Sequence, residues 1–273
     1  MNKGNLQNDP MWYSGELATI MISESTYGNP KSHTPDKVCG DLRFFYSLGH
    51  GDLTINGKLQ WIPPMSAIKV HPGTEVQFNM KKGTKLYEIT VFPEEDKILK
   101  DLTTKYNWFF DNLADEDKKE WDIVVNAGND YIIPDEPNAR NINTKYPGIL
   151  IAPAFSRFKN DIPNGWNFMY GRASKILGVG TDANYRMRDQ EAIHKHKITV
   201  ETYICIGGKL ELIVDDERHV LPPGGFLTAV PGETHAMGRF IETPYEGITL
   251  QLPSLPGDKF DPEGNPIGRF FKK

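Results

Sequence analysis

Cysteine is scarce in this sequence: Cys39 and Cys205 are the only two, and they lie far apart. That excludes a framework of disulfides, and the expected setting is reducing and cytoplasmic. Long apolar runs are also missing, none approaching the roughly 20 residues that span a bilayer as a helix. Met1 to Pro10 is polar and lacks the basic-then-apolar pattern of a secretory signal. Nor is there an excess of basic charge, since 31 Lys+Arg stand against 36 Asp+Glu for a formal net charge of −5. Nucleic acids and anionic membranes reward a basic face, so neither is expected as a partner, and a small molecule is. With 38% apolar and 25% charged residues over 273 positions, the composition is that of a globular protein able to build two small cores. Cys205 sits in the apolar run Tyr203-Ile204-Cys205-Ile206, where a buried, inert thiol is expected.

Twenty prolines and 25 glycines punctuate the chain into short segments. Runs such as 67–70, 86–91 and 209–214 between these turn signals read as strands of an all-β sandwich or barrel. One stretch differs. From Glu94 to about Asn126 there is no proline or glycine, and Ile98, Leu99, Leu102, Trp108, Phe109, Leu113, Trp121 and Val124 recur at near-helical spacing. Two helices are predicted there, over 94–112 and 115–126, with Asp115 as N-cap of the second and Glu94-Glu95-Asp96 favouring the start of the first. The segments 49–75 and 207–234 repeat one order of features: a glycine turn, a strand, a polar turn, a proline-marked turn, a strand and a closing Pro-Gly. A duplicated small barrel is implied, with domains at 1–93 and 151–273 joined by a helical linker region over 94–150.

The strongest chemical signal is His194-Lys195-His196 followed by Glu201. Side chains alternate along a strand, so His194 and His196 share a face and Lys195 points away. Glu201 lies an odd number of residues beyond them, so a bend must return it to that face. His235 follows the turn Pro231-Gly232-Glu233-Thr234 and can reach the site from a neighbouring strand. Three imidazoles and one carboxylate suit a divalent transition metal, with Fe, Mn, Ni, Zn and Cu all compatible.

These residues resemble the cupins. Their first motif, G-x5-H-x-H-x(3,4)-E-x6-G, is matched from His194 through Glu201 to Gly208, with Arg188 in place of the leading glycine. Their second, G-x5-P-x-G-x2-H-x3-N, is matched by Gly224, Gly232 and His235, with Val230 replacing the proline and Arg239 the asparagine. The resemblance implies two cupin-type (double-stranded β-helix, or jelly-roll) barrels, the second holding one divalent metal per chain, iron first, on His194, His196, Glu201 and His235. It is good over about 172–252 and faint over about 40–92. In the first half Val76 stands where the second-motif histidine falls and no His-x-His precedes Gly49, so that barrel is expected to lack metal. His33, His50 and His71 are read as turn or surface residues.

Around the site, Arg239, Arg186 and Tyr203 are the candidates for binding substrate. Arg239 lies four residues beyond His235, and strict alternation would turn it inward to grip an anion. No catalytic acid or base stands out. The wall candidates Tyr203, Phe226, Met237 and Phe240 lean apolar, whereas Glu211, Glu233 and Thr228 lean polar. An apolar wall points to a non-haem dioxygenase acting on a small oxygenated, anionic molecule. A polar wall with a general base points to a metal-dependent isomerase of a sugar or sugar acid, which chain length and the segment His194 to Tyr203 also resemble. A non-enzymatic small-molecule binder is the third reading. Barrel edges and apolar outer faces need covering, which leads to the expectation of a homodimer.

Overall fold

The alternating apolar runs of the first half form short strands: β1 (Asn2–Asn5), β2 (Met11–Ser14), β3 (Thr19–Thr26), β4 (Leu42–Ser47), β5 (Gly51–Ile55), β6 (Lys58–Ile62), β7 (Ser66–Val70), β8 (Val76–Met80) and β9 (Lys85–Phe92). The computed structural model describes residues 1–28, 42–62, 66–93, 95–126, 142–143, 149–153, 164–170, 173–181 and 192–267. Helices α1 (Glu95–Lys105), α2 (Asn107–Asp111) and α3 (Asp115–Asn126) follow. Then come β10 (Ile142–Asn143), β11 (Ile149–Pro153), β12 (Asn164–Tyr170), β13 (Lys175–Thr181), β14 (Val200–Val214), β15 (Glu217–Leu221), β16 (Gly225–Ala229) and β17 (His235–Leu252). None of the described helices is long and apolar enough to cross a membrane.

The first barrel faces a seven-stranded sheet, β10-β11-β7-β4-β9-β3-β2, against the three-stranded sheet β6-β5-β8. Phe45, Ile68, Val70 and Leu86 from one meet Leu53, Ile55, Val76 and Phe78 from the other. In the second barrel β14 and β17 are long enough to serve both walls, and their pairing slips between Cys205 and Lys209 where they bend. Gly208 sits at that bend with φ +71, and a Cβ there would lie 2.4 Å from the Glu242 carbonyl oxygen. The motif glycine is thus required by the close approach of two backbones. Tyr203, Cys205, Leu212, Leu227 and Met237 fill the interior. Burial pushes the Cys205 thiol up to about 12, consistent with an inert role. The expected all-β class, with two cupin-type barrels joined by helices, is the one observed.

Hydrogen bonding crosses the boundaries drawn from sequence in two places. Strand β1 pairs antiparallel with β16 of the second barrel, and β11, which straddles the boundary drawn at 150/151 and lies mostly in the second domain, pairs with β7 of the first. The receiving strands are equivalent, because β7 flanks β4 as β16 flanks β14. Each barrel therefore covers an edge of the other. The outer faces also meet within the chain: Ile20, Ile22, Phe44 and Ile89 share one apolar core with Ile204, Phe226, Ile248 and Leu250. These outer-face residues are buried against one another within the chain.

The linker helices differ from the expected pair. The first divides at Tyr106, whose φ of −115 and ψ of 35 leave the helical region. Asp115, expected as a cap, is instead the first residue of α3, and the Ala114 carbonyl accepts the first helical bond from the Lys118 N–H at 2.9 Å. Glu95 does more than favour a helix start. It is buried with Lys69, 2.7 Å from its ammonium, and accepts bonds from the Ala173 N–H (2.7 Å) and the Ser174 hydroxyl (2.9 Å). One carboxylate thereby ties the first barrel, α1 and the approach to the second barrel together.

Candidate metal centre

Strand alternation brings His194 and His196 to one side, and a reciprocal pair of backbone bonds couples His194 to His235, at 3.0 and 2.7 Å. Lys195 turns away, its ammonium donating to the Pro262 carbonyl at 2.7 Å. The bend required to return Glu201 to the histidines is built by a residue that no motif marks. The buried Asp258 carboxylate accepts the N–H groups of Lys197 (2.8 Å), Ile198 (3.1 Å) and Thr199 (2.8 Å), folding the intervening residues into a tight turn. The Gly232 N–H, at a glycine with φ +92, donates to the His196 carbonyl at 2.8 Å and so fastens the loop leading to His235.

Each imidazole is oriented through its Nδ1. That of His194 lies 2.9 Å from the Ala192 carbonyl, that of His235 3.0 Å from the Glu233 carbonyl, and that of His196 bonds the Asp258 carbonyl. A carbonyl only accepts, so each Nδ1 carries the proton and a neutral ring presents its Nε2 lone pair to the centre. The Nε2 atoms of His194, His196 and His235 stand 3.8, 3.0 and 3.2 Å from Glu201 Oε2. All four donor atoms lie within 4.8 Å of one another, on buried residues. Lone pairs converging on one point repel unless a cation stands among them, so this group is able to hold a metal ion.

Protons compete for the same point. Burial alone would raise the Glu201 carboxyl, but the three imidazoles outweigh it and hold the group well below the usual carboxylate range. Burial would likewise lower His196, yet its bond to Glu201 prevails and raises it. Metal binding must displace the proton that His196 holds toward Glu201, so affinity should fall with falling pH. Asp258→Ala, which frees three N–H groups and releases the turn, is expected to weaken Zn(II) binding by about 10–100-fold, as outer-sphere changes do. Competition with a chromophoric chelator measures this, and unchanged affinity would show that the turn holds itself.

The substrate-binding candidates fare differently. Tyr203 is buried in the barrel on the same face as Glu201, its ring edge-on to His235 with centroids 6.2 Å apart. Arg186 lies outside the described residues. Arg239 does not turn inward: its side chain is 69% exposed and forks onto Glu211, with bonds of 3.1 and 3.0 Å. The cause is a β-bulge. Glu211 pairs with Arg239 but Leu212 with Met237, so Gly238 is an extra residue that reverses the alternation begun at His235. Arg239→Met is therefore expected to leave metal content and turnover unchanged, which elemental analysis and assay can check together.

The other wall candidates divide in the same way. Met237 packs in the barrel interior with Phe240 against it, whereas Phe226 faces the core between the barrels. Glu211 is outside with Arg239 and Arg218, Glu233 is held by the Met1 amine at 2.5 Å and the Val230 N–H at 3.0 Å, and Thr228 bonds Thr202 at 3.0 Å. His71 opens a turn closed by the Thr74 N–H on its carbonyl at 3.2 Å and is buried there, while His50 is half-buried and His33 lies outside the described residues.

The first barrel repeats the frame with other side chains. Glu201 pairs with Ala229 of β16 and Gln251 of β17, and Arg43 pairs with Val70 of β7 and Thr90 of β9 in the equivalent places. Arg43 thus stands where a ligand would, 3.1 Å from Glu88, and Val76 pairs with Ile55 as His235 pairs with Val214. A fixed guanidinium in that position repels a divalent ion.

No protein-family model matches the chain, and no curated protein matches it. Among solved structures it resembles HEPD of Streptomyces albus, determined with 2-hydroxyethylphosphonate and Fe(II) bound, at 10% identity over 92% of this chain and 75% of that one, with a TM-score of 0.53. It also resembles a salicylate 1,2-dioxygenase from Pseudaminobacter salicylatoxidans, at 8% identity over 91% and 77% of the chains, with a TM-score of 0.50. A cupin 2 conserved barrel domain protein from Leptotrichia buccalis aligns over 93% of this chain and 96% of its own at 12% identity, with a TM-score of 0.48. At such identities the likeness is one of fold.

Proposed function

We propose that this chain is a two-barrel cupin enzyme that holds one divalent transition metal on His194, His196, Glu201 and His235, and that it is a dioxygenase-type oxidoreductase acting on a small oxygen-bearing molecule. The observation that carries the metal is the set of Nδ1-anchored imidazoles facing one buried carboxylate. What a ferrous ion supplies when bound to such a set is electron transfer to dioxygen beside a chelating substrate. Iron is favoured because a solved neighbour of the same fold holds Fe(II).

The interior favours the oxygenase over the isomerase. Moving a proton on a sugar needs a general base and several hydrogen-bonding groups at the metal. Among the described residues Glu211, Glu233 and Thr228, the polar candidates, all face elsewhere. Tyr203, Leu212, Leu227 and Met237 instead surround the metal centre with apolar side chains, a setting that suits a largely apolar substrate. With Arg239 paired outside, an anionic substrate has no anchor there, and the reading needs only an oxygen donor for the metal. Oxygen uptake by the Fe(II)-loaded protein on chelating acids and diketones is the test. Consumption that depends on Fe(II) and vanishes in Zn(II)-loaded protein is expected. Aldose–ketose conversion without oxygen would favour the isomerase instead, and tight ligand binding without turnover would favour the binder.

A further inference from the structure

A cavity of about 370 Å³ lies outside the second barrel, behind the metal centre rather than within it. Five parts of the chain line it: the β2–β3 turn, closed by the Gly15 N–H on the Ala18 carbonyl at 3.0 Å; Tyr106 at the break between α1 and α2; the turn that joins His196 to Glu201; Pro231; and the end of β17 at Leu252 and Pro253. Leu17, Ile20, Ile198, Val200 and Leu252 make most of its wall apolar. Pockets of this size between packed units are where small molecules commonly bind.

Its polar groups define the ligand. Glu16 is already answered by the Lys105 ammonium at 2.5 Å and the Tyr106 hydroxyl at 2.8 Å. Lys197 also lines the cavity, and its ammonium rests on the Phe260 ring, 3.8 Å from the centroid, with no carboxylate paired to it among the described residues. Burial, then the charges of Glu16 and Glu233, push the Tyr13 hydroxyl up, so it stays a donor. Among the described residues, one cation without a carboxylate and one hydroxyl donor beside an apolar cavity suit an organic acid with an apolar body and one carboxylate.

We propose that this cavity is an effector site for a small apolar monocarboxylate, whose body packs on Leu17, Ile198 and Val200 and whose carboxylate meets Lys197. Ile198 and Val200 belong to the stretch between two candidate ligands, so an occupant stiffens the turn that sets their spacing. Its coupling to metal rests on the reading of the metal centre given above. By linkage, ligand and metal raise each other's affinity by the same factor, about fivefold at the lower end of usual couplings.

The test is calorimetric titration of 4-phenylbutyrate and of its neutral amide into the full-length chain. One saturable site per chain is expected without metal, with the amide about tenfold weaker for want of the charged contact. Lys197→Gln should erase the difference between acid and amide, and Leu17→Trp, which fills the cavity, should abolish both isotherms. Should Leu17→Trp fail to fold, Ala18→Leu on the same turn fills less and should weaken both. The proposal falls if no saturable binding occurs, if acid and amide bind alike, or if the filled variants bind as the parent does. Saturating 4-phenylbutyrate should then tighten Zn(II) binding about fivefold in the parent. Unchanged Zn(II) affinity overturns the coupling, whereas a parent that binds 4-phenylbutyrate but no Zn(II) counts against the metal centre.

Discussion

His196→Ala is expected to lower the affinity for a divalent metal by more than a hundredfold, leaving the chain metal-free after purification. Outer-sphere changes alone cost about 10–100-fold, and here a ligand itself is lost. Two further links go with it. The bond from His196 Nδ1 to the Asp258 carbonyl disappears, and so does the Nε2 contact with Glu201 at 3.0 Å. The barrel should stay folded, because its interior rests on Cys205, Leu212, Leu221 and Leu227, away from the imidazole. Equilibrium titration with Zn(II), read beside far-ultraviolet circular dichroism, separates the two effects. Retained stoichiometric binding in a folded variant would remove His196 from the ligand set.

Lys69→Met is expected to cost about 3–5 kcal/mol of stability, the usual penalty for leaving a buried charge without its partner. Methionine keeps most of the volume, so the loss comes from Glu95 rather than from a cavity. Burial alone would raise the Glu95 carboxyl, but Lys69 and the bonds from Ala173 and Ser174 prevail and hold it below its ordinary value of 4.5. A group lowered on folding contributes stability that is present above its unfolded pKa and lost as pH falls through the folded one. The parent should therefore lose this contribution in acid, below about pH 4.5. In the variant burial acts unopposed by the ammonium, so Glu95 takes up a proton more readily and the gap to the parent narrows in acid. Urea denaturation at pH 7 and pH 4 measures both. A gap under about 1 kcal/mol at pH 7 would mean the pair contributes no more than an exposed one.

What could be read in the sequence was what depends on neighbouring residues. His194 and His196 share a face because strands alternate, and the spacing to Glu201 announced a bend that the structure places between His196 and Glu201. Arg239 was misplaced because the bulge at Gly238 is set by how β17 pairs with β14, which one strand does not reveal. Asp258 lies in a turn with no motif, and its three bonds to the ligand turn span some sixty positions of chain. The exchange of β1 and β11 was equally hidden, since Asn2–Asn5 has no apolar alternation and finds its edge only in the folded second barrel. Glu95 read correctly as a helix-start acid, but its ion pair needed Lys69, which looks in β7 like an ordinary solvent-facing lysine. Arg43 escaped notice because its equivalence to Glu201 exists only in strand register.

The central claim is one metal, in the second barrel alone. Elemental analysis of the full-length chain, purified without chelators and reloaded with Fe(II) or Zn(II) under argon, tests it directly. Close to one tightly held ion per chain is predicted, because His194, His196, Glu201 and His235 converge while Arg43 and Val76 stand in the first barrel's equivalent places. A chain that holds two ions, or that holds none after reloading, would contradict the account.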